Sequence, residues 1–230
     1  GPSFKKNEII DQLNMAGADY KEVSKKNMFK FIAKKISEGQ AVGWFQGRME
    51  FGPRALGSRS IVADPRNINM QKQLNLKIKF RESFRPFAPA ILEKYVNSWF
   101  EFDTKSPYML FVANLKCDKL NKKKYNNNKL SSINNLRSKI PSTTHIDNSA
   151  RIQTVSKKYN PIFFELIDEF HKLTKTPILI NTSFNIRGEP IVCRPIDAFK
   201  CFMGTDLDFL VIENFVLEKN KQNKKLLKDY

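Results

Sequence analysis

Residues 43–66 read GWFQGRMEFGPRALGSRSIVADPR, a stretch that cannot continue as a long helix. Four glycines and two prolines interrupt it, and four arginines (Arg48, Arg54, Arg59, Arg66) sit on that frame. Glycine permits positive φ and close backbone approach, Pro53 fixes φ beside Gly52, and each guanidinium is a planar fork of donors that stays charged. The segment therefore reads as a rigid turn between two short buried strands, residues 41–45 entering it and residues 60–63 leaving it. Two readings of its arginines stay open: an anion site, or side chains paired with carboxylates or solvent, since surface ion pairs are common and weak.

Composition narrows the class. With 230 residues, 41% of them hydrophobic and 12% aromatic, the chain can bury a substantial core. No apolar run approaches the roughly 18 residues that span a bilayer, and no secretory h-region opens the chain, so the expectation is a cytoplasmic protein without a membrane partner. The three cysteines are odd in number and show no CxxC spacing, which argues against a disulfide framework or a zinc site. With two histidines, a histidine-rich metal centre within the chain is not expected. The net charge of +17 taken alone points to a polyanion. Much of the excess is lysine in residues 116–139 and 219–228, whereas the arginines cluster with glycine, proline and aromatic residues.

In chain order, residues 7–15 read as a helix ended by Gly17. A second helix is capped by Ser24, carries Met28, Phe31, Ile32 and Ile36 at helical spacing, and stops at Gly39. These form an N-terminal linker and helices, residues 1–40, leading into a domain spanning 41–218. Asn67 is the expected cap of a helix whose Met70, Leu74 and Ile78 recur every fourth residue. It runs into KIKFRESFRPFAPAIL, where Lys77, Lys79, Arg81 and Arg85 precede a strand at 87–92. Lys77 suits a helix C-terminus, while Lys79 and Arg85 are read as converging on an anion. Residues 96–102 cover the sheet and 108–114 form a strand. Residues 116–140, rich in lysine and asparagine, read as an exposed, mobile insertion. HIDNSAR, ending at Arg151, leads into a strand at 152–155, and Asn160-Pro161 starts a helix with Phe163, Phe164, Ile167 and Phe170 on its inner face. A strand at 177–180 runs into NTSFNIRGEPIV, where Asn181, Thr182, Ser183, Asn185 and Arg187 follow a strand end, the usual place for ligands in open α/β sheets. A self-satisfied Asx or Ser/Thr turn is the alternative there. A helix at 195–203, strands at 207–212 and 215–217, and a frayed basic tail at 219–230 complete an α/β (α+β-like) chain.

GxxxxGK[ST], GxGxxG and GxSxG are absent, and no Cys/His pairing for acyl transfer is evident. What remains is an electrostatic set of arginines, lysines and strand-end Ser/Asn groups. It suits phosphate binding and the charge that develops in phosphoryl or nucleotidyl transfer.

The three motifs GWFQGRMEFGPRALGSRSIVADPR, KFRESFRPFAPAIL and NTSFNIRGEPIV, in that order, resemble the C-terminal region of the NodU/CmcH family of O-carbamoyltransferases. The likeness runs from GPSF to about Leu217. It implies a YrdC-like domain, a twisted mixed sheet flanked by helices, that uses ATP with Mg²⁺ and carbamoyl phosphate to form carbamoyl-adenylate. It further implies an N-terminal actin/hexokinase-like domain, bearing an iron-type metal site, that passes the carbamoyl group to a hydroxyl acceptor. Carried over by motif, Arg54, Lys79 and Arg85 would be catalytic and hold carbamoyl and phosphate oxygens. Arg151, Asn181, Ser183, Asn185 and Arg187 would complete the nucleotide pocket, with Arg187 alternatively pairing with Glu189 or Asp197. The chain departs from the family's HxDGTAR with HIDNSAR, where Asn148 takes the place of a left-handed glycine. With the metal ligands assigned to the other domain, this chain is expected to supply the adenylating half-reaction, as an excised or split domain that needs its partner. The alternatives are a basic nucleic-acid-binding module, a threonylcarbamoyl-adenylate-forming YrdC-like module, and an inactive fragment; nucleic acid is not the expected partner.

Overall fold

Eight runs of four to seven residues, separated by turns, and the two-residue Lys21–Glu22 pair into one nine-stranded mixed sheet in the computed structural model, which describes residues 1–121 and 137–228. The elements are α1 (Lys6–Met15), β1 (Lys21–Glu22), α2 (Lys25–Ser37), β2 (Val42–Phe45), β3 (Arg59–Ala63), α3 (Met70–Lys77), β4 (Ala88–Leu92), α4 (Val96–Trp99), β5 (Phe111–Asn114), β6 (Ser149–Val155), α5 (Pro161–Thr174), β7 (Ile178–Ser183), α6 (Pro195–Met203), β8 (Phe209–Ile212) and β9 (Phe215–Glu218). The strand order is β1-β9-β8-β2-β3-β7-β4-β6-β5. β2 with β8 and β4 with β6 run parallel, and the other pairs are antiparallel. This is the α/β class the sequence implies, a mixed sheet flanked by helices.

Both faces of the central strands are covered, which is why β2, β3 and β4 are apolar at nearly every position and show no alternation. On one face α2 and α5 bring Ile32, Ile36, Phe163, Ile167 and Phe170 onto Trp44 and Val62. On the other, α1, α3 and α6 bring Leu13, Leu74, Phe199 and Phe202 onto Phe45, Ile61 and Leu210. Each buried side chain of this size contributes roughly 1.5–3 kcal/mol relative to exposure. A third cluster, with Trp99, Phe100, Ile140 and Ile152, lies under α4. Among the described residues no helix is long and apolar enough to cross a membrane.

Local chemistry sets the element ends. Asn160 caps α5 by accepting the Phe163 N–H at 3.0 Å, Pro161 occupies the first turn, and Lys175 closes the helix at φ 60°. Ser24 stands at the N-cap of α2, though its side chain makes no capping bond. Asn67 does not cap α3 directly; its side chain accepts the Asn69 N–H at 2.9 Å in an Asx turn, and the helix begins at Met70. β6 starts three residues earlier than the apolar run at 152–155, because Ser149–Arg151 pair with Asn114–Val112. β7 runs on through Ser183 because Asn181, Thr182 and Ser183 pair with Val62, Ile61 and Ser60. In contrast, the strand expected from residue 108 begins only at Phe111, since Met109 turns to φ 58°.

The lysine-rich stretch at 122–136 lies outside the described residues. Its flanks meet: Leu120 bridges Ser138, and the Asn121 N–H donates to the Arg137 carbonyl at 2.8 Å. The tail departs from the frayed expectation at its start. Lys219 donates through Nζ to the carbonyls of Phe202, Met203 and Thr205 at the end of α6, and Gln222 exchanges hydrogen bonds with the Asp19 backbone.

Gly43 marks the tightest packing in the sheet centre: a Cβ there would lie 2.6 Å from the Phe184 ring. Gly43→Ala therefore overpacks the core, and we expect a loss of about 1–3 kcal/mol, read as a lower urea midpoint with an unchanged m-value.

Candidate functional site

The loop from Gln46 to Ser58 is held by two groups of opposite charge. Glu50 Oε1 accepts the N–H groups of Leu56, Ser58 and Arg59 at 2.7, 2.6 and 3.2 Å. The Arg59 side chain is fully buried and donates through Nη1 to the carbonyls of Gln46, Gly47 and Ser58 at 3.1, 3.2 and 3.0 Å. Its guanidinium stacks on Phe45, 3.4 Å from the ring centre. Burial lowers the Arg59 pKa to about 10, against the raising influence of Glu50, Cys193 and Glu213. The remaining arginines of the motif divide. Arg66 forks onto Asp64, with Nη2 to Oδ2 at 2.6 Å, and Arg48 Nε donates to the Gly1 carbonyl at 3.1 Å. Arg54 is left at the loop tip, exposed.

The rest of the loop is tied to the sheet by amides. Asn181 Nδ2 donates to the Ala55 carbonyl at 2.9 Å and to Gln153 Oε1 at 2.7 Å. Gln153 Nε2 and Asn160 Nδ2 both donate to the Leu56 carbonyl, at 2.9 and 3.2 Å. Gly57, at φ 109°, lets the loop press on α5, because a Cβ would meet Phe163 at 2.3 Å. The cap of α5, the middle of β6 and the end of β7 thus converge on the backbone that carries Arg54.

Beside this loop is a cavity of about 130 Å³. Arg54, Arg81, Arg151, Met109, Thr182 and Ser183 line it together with Pro53, Ala55, Pro86, Phe87, Ala88 and Asn181. No carboxylate is among these residues. The Arg151 pKa is lowered by burial and then by Arg54, and its Nε is buried without a hydrogen-bond partner. The Arg81 pKa is lowered by burial and then by Arg85; its Nε donates to Asn75 Oδ1 at 2.7 Å and its guanidinium lies over Phe87. A concave site with three guanidinium groups and strand-end hydroxyls fits the oxygens of a phosphate or carboxylate.

The sequence-predicted residues separate on this geometry. Arg54, Arg151, Asn181 and Ser183 come together at the cavity. Lys79 lies behind it, buried, with Nζ donating to the Ser183 carbonyl, to Ser183 Oγ at 3.2 Å, to the Asn185 carbonyl at 2.9 Å and to Asn185 Oδ1 at 2.7 Å. Asn185 closes its own turn by donating to the Glu189 carbonyl at 2.8 Å. Arg85 is exposed and paired with Glu82 at 2.9 Å. Arg187 is exposed and near Glu82, whose pKa it helps to lower, and Asp197 pairs with Arg194 instead. Arg81 and Gln153 are the additions. Arg81 was visible as part of the basic group, but its direction depends on Phe80, which takes φ 47° and turns the chain between a buried Lys79 and a cavity-facing Arg81. Gln153 carried no signal, being one polar residue in an otherwise ordinary strand. In the HIDNSAR turn Asn148 takes φ 65°, and Asp147 Oδ1 accepts the Ser149 N–H and hydroxyl at 3.0 and 2.6 Å. Among the described residues no group of three or more His, Cys, Asp or Glu is placed to hold a metal ion.

The family model described as carbamoyltransferase C-terminus matches residues 33–219. An uncharacterized protein of Synechocystis sp., sll1178, is 51% identical over 227 residues, 96% of this chain and 37% of that protein. Nodulation protein NolNO of Sinorhizobium fredii is 39% identical, covering 95% of this chain and 30% of that protein. Nodulation protein NolO of Bradyrhizobium diazoefficiens is 44% identical over 80% of this chain and 31% of its own length. The chain therefore spans about a third of the length of these curated relatives. Among solved structures, full-length HypF in its phosphate- and nucleotide-bound form aligns with a TM-score of 0.47 and 16% identity, over 82% of this chain and 25% of that one.

Burial, followed by the charge of Arg81, depresses the Lys79 pKa from its ordinary 10.5 to about 7. The unfolded chain then binds one more proton than the folded chain between those two values, so stability rises with pH across that window and is flat below it. Chemical denaturation from pH 6 to 10 should show this rise as a difference between the native chain and Lys79→Met. Parallel pH profiles for the two proteins would remove Lys79 as its source.

Proposed function

The chain belongs to the carbamoyltransferase C-terminus family, and from that membership we propose that its arginine cavity binds ATP and carbamoyl phosphate and forms carbamoyl-adenylate. The observation that carries the reading is the convergence of Arg54, Arg81 and Arg151 on one cavity that no carboxylate lines. Each charge-assisted hydrogen bond to a phosphate oxygen contributes roughly 1.5–3 kcal/mol, so a few of them suffice for useful nucleotide affinity. The overall reaction balances when one water is consumed and both pyrophosphate and phosphate leave. The new bond joins a carbamate oxygen to the α-phosphorus of ATP.

In this proposal the three arginines hold phosphate oxygens and offset the charge that grows on the leaving pyrophosphate. Ser183 lines the same space, with its hydroxyl donating to Asn185 Oδ1 at 2.7 Å. Lys79, Asn181, Gln153 and Asn185 act through position: the first and last fix the 183–185 turn, and the two amides fix the loop that bears Arg54. Arg85 and Arg187, outside the cavity, have lesser roles at its rim. Mg²⁺ arrives on the ATP phosphates, since the cavity lining offers it no carboxylate. Transfer to a hydroxyl acceptor, and the iron-type metal that serves it, belong to an N-terminal actin/hexokinase-like domain. A cytoplasmic location, where both substrates occur, is part of the same reading.

Pyrophosphate release from ATP and Mg²⁺, with and without carbamoyl phosphate, tests it directly. Release should require both substrates. Arg54→Ala, Arg81→Ala and Arg151→Ala should each lower kcat/KM by about 100-fold, the range for losing one aimed donor. Arg85→Ala should lower it only a few-fold. Unchanged turnover in the three cavity variants would overturn the site. Absence of carbamoyl phosphate-dependent release from both this chain and the intact Synechocystis relative would overturn the reaction.

A further inference from the structure

One sheet edge is unlike the remainder of the surface. Residues 106–115, SPYMLFVANL, hold no charged side chain in a chain that is 27% charged with net charge +17. Ser106, Met109, Ala113 and Leu115 are buried, but four large side chains are in the open: Tyr108, Leu110, Phe111 and Val112 are 64%, 71%, 50% and 58% exposed. β5 is last in the strand order and pairs only with β6 among the named strands. Among the described residues its outer edge is covered only at the C-terminal end, where the Glu101 N–H donates to the Asn114 carbonyl at 2.8 Å and Phe100 bridges Leu115. Edge strands of soluble domains are normally blunted by lysine, proline or a bulge, and this one carries none of them from Tyr108 to Val112. An apolar, uncharged edge of this kind, preceded by the turn at Met109, is a surface built to be covered.

The position of the edge shows how. Val112 stands opposite Arg151 in the β5–β6 register, so the two share a face of the sheet, and Arg151 lines the cavity. Phe111 lies on the other face against Phe102, with ring centres 5.8 Å apart. Met109, between Tyr108 and Leu110, lines the cavity itself. A small molecule would cover one face, whereas here both faces and the free edge are open together, which calls for a polypeptide. We propose that β5 with Tyr108 and Leu110 is the docking surface for the remaining part of the family's longer polypeptide. That part would seat an apolar segment along the strand, next to the arginine cavity.

Two observations favour this occupant over a second copy. The relatives are about three times as long as the matched region, so the same polypeptides contain a large body that this chain does not represent. A second copy would set +17 against +17 across the contact, whereas a partner with an apolar centre and an acidic rim would be attracted to it. The proposal rests on the functional reading only in naming the cavity's product as what the docked part receives.

The test is hydroxyl-radical footprinting of this chain beside the intact Synechocystis relative, with sedimentation of both. Tyr108, Leu110 and Phe111 should be labelled strongly in this chain, and the aligned strand of the intact relative should be protected severalfold. Leu110→Lys with Val112→Lys, placed at the aligned positions of the relative, should remove protection from the surfaces facing the strand while pyrophosphate release persists. Equal labelling in the two proteins overturns the proposal. So does protection in this chain alone accompanied by sedimentation as a dimer, which would assign the edge to a second copy. If the adenylating reaction is wrong, release fails while the protection pattern stands, and the two failures are therefore distinguishable.

Discussion

Everything at the cavity depends on a buried arginine that cannot touch a ligand. Arg59 has no exposed surface, and its guanidinium is spent on backbone carbonyls at the two ends of the 46–58 loop. Removing such a charge from water is costly unless its hydrogen bonds are satisfied and a counter-charge is near. Inside the loop those carbonyls take the Nη1 hydrogens and Glu50 supplies the counter-charge, while Arg59 Nε stays buried without a hydrogen-bond partner. Glu50 in turn neutralises three N–H groups that would otherwise point at nothing. Because the two charged side chains bond the backbone of the same loop, they hold it together from both ends. In that shape Arg54 is the arginine left over. A lysine in place of Arg59 would keep the charge but lose the second arm, Nη2 to the Pro2 carbonyl at 3.4 Å, and the planar group that stacks on Phe45.

The fold was readable because its elements agree with their sequence at several levels. α2 and α5 carry apolar residues at helical spacing, and β2, β3 and β4 are short apolar runs bounded by breakers. The site was readable as three motifs but not as a geometry. Nothing in GWFQGRMEFGPRALGSRSIVADPR distinguishes Arg54, Arg59 and Arg66, since each is an arginine near glycine or proline. Their fates differ because one faces the core, one faces Asp64 and one faces the cavity, and that depends on long-range pairing. The opposite directions of Lys79 and Arg81 were hidden for a local reason. An L-residue at φ 47° is rare, so the turn at Phe80 is not read from the sequence, where Lys79 and Arg85 were the cations expected to converge. Gln153 and Asn181 show the limit from the other direction: their amides work as a pair, and a pair 28 positions apart has no signature in either residue.

Left-handed non-glycine residues gather around this cavity. Phe80 lies between Lys79 and Arg81, Met109 lines the cavity, and Asn148 opens the turn that leads to Arg151. Phe80 and Met109 lack even the short polar side chain that eases such a backbone for asparagine. Conformations of this kind persist where the surrounding structure over-determines them, and they cluster at functional sites. Here the compensation can be named. Asn75 accepts from Arg81 Nε and donates to the carbonyls of Ser83 and Arg85, pinning the turn after Phe80, while Ser106 bonds Thr154 and the Ile152 carbonyl just ahead of Met109. Strain in the backbone and uncompensated positive charge are thus found in the same place. An anion would relieve the second without disturbing the first.

Lys79 connects that relief to protons. Its ammonium is not in the cavity, but it touches Ser183, which is, and it is destabilised by burial and by Arg81, which also lines the cavity. An anion held by Arg81 would cancel part of that repulsion and favour the protonated lysine. By linkage, protonation of Lys79 must then favour the anion to the same extent. The four oxygens around Nζ come from Ser183 and Asn185, so the charge that would respond to an anion is also the one that fixes the 183–185 turn. The buried lysine and the three cavity arginines therefore form one electrostatic unit in two layers. In the proposed function the outer layer would meet the ligand, and the inner one would adjust its proton affinity to the ligand's presence.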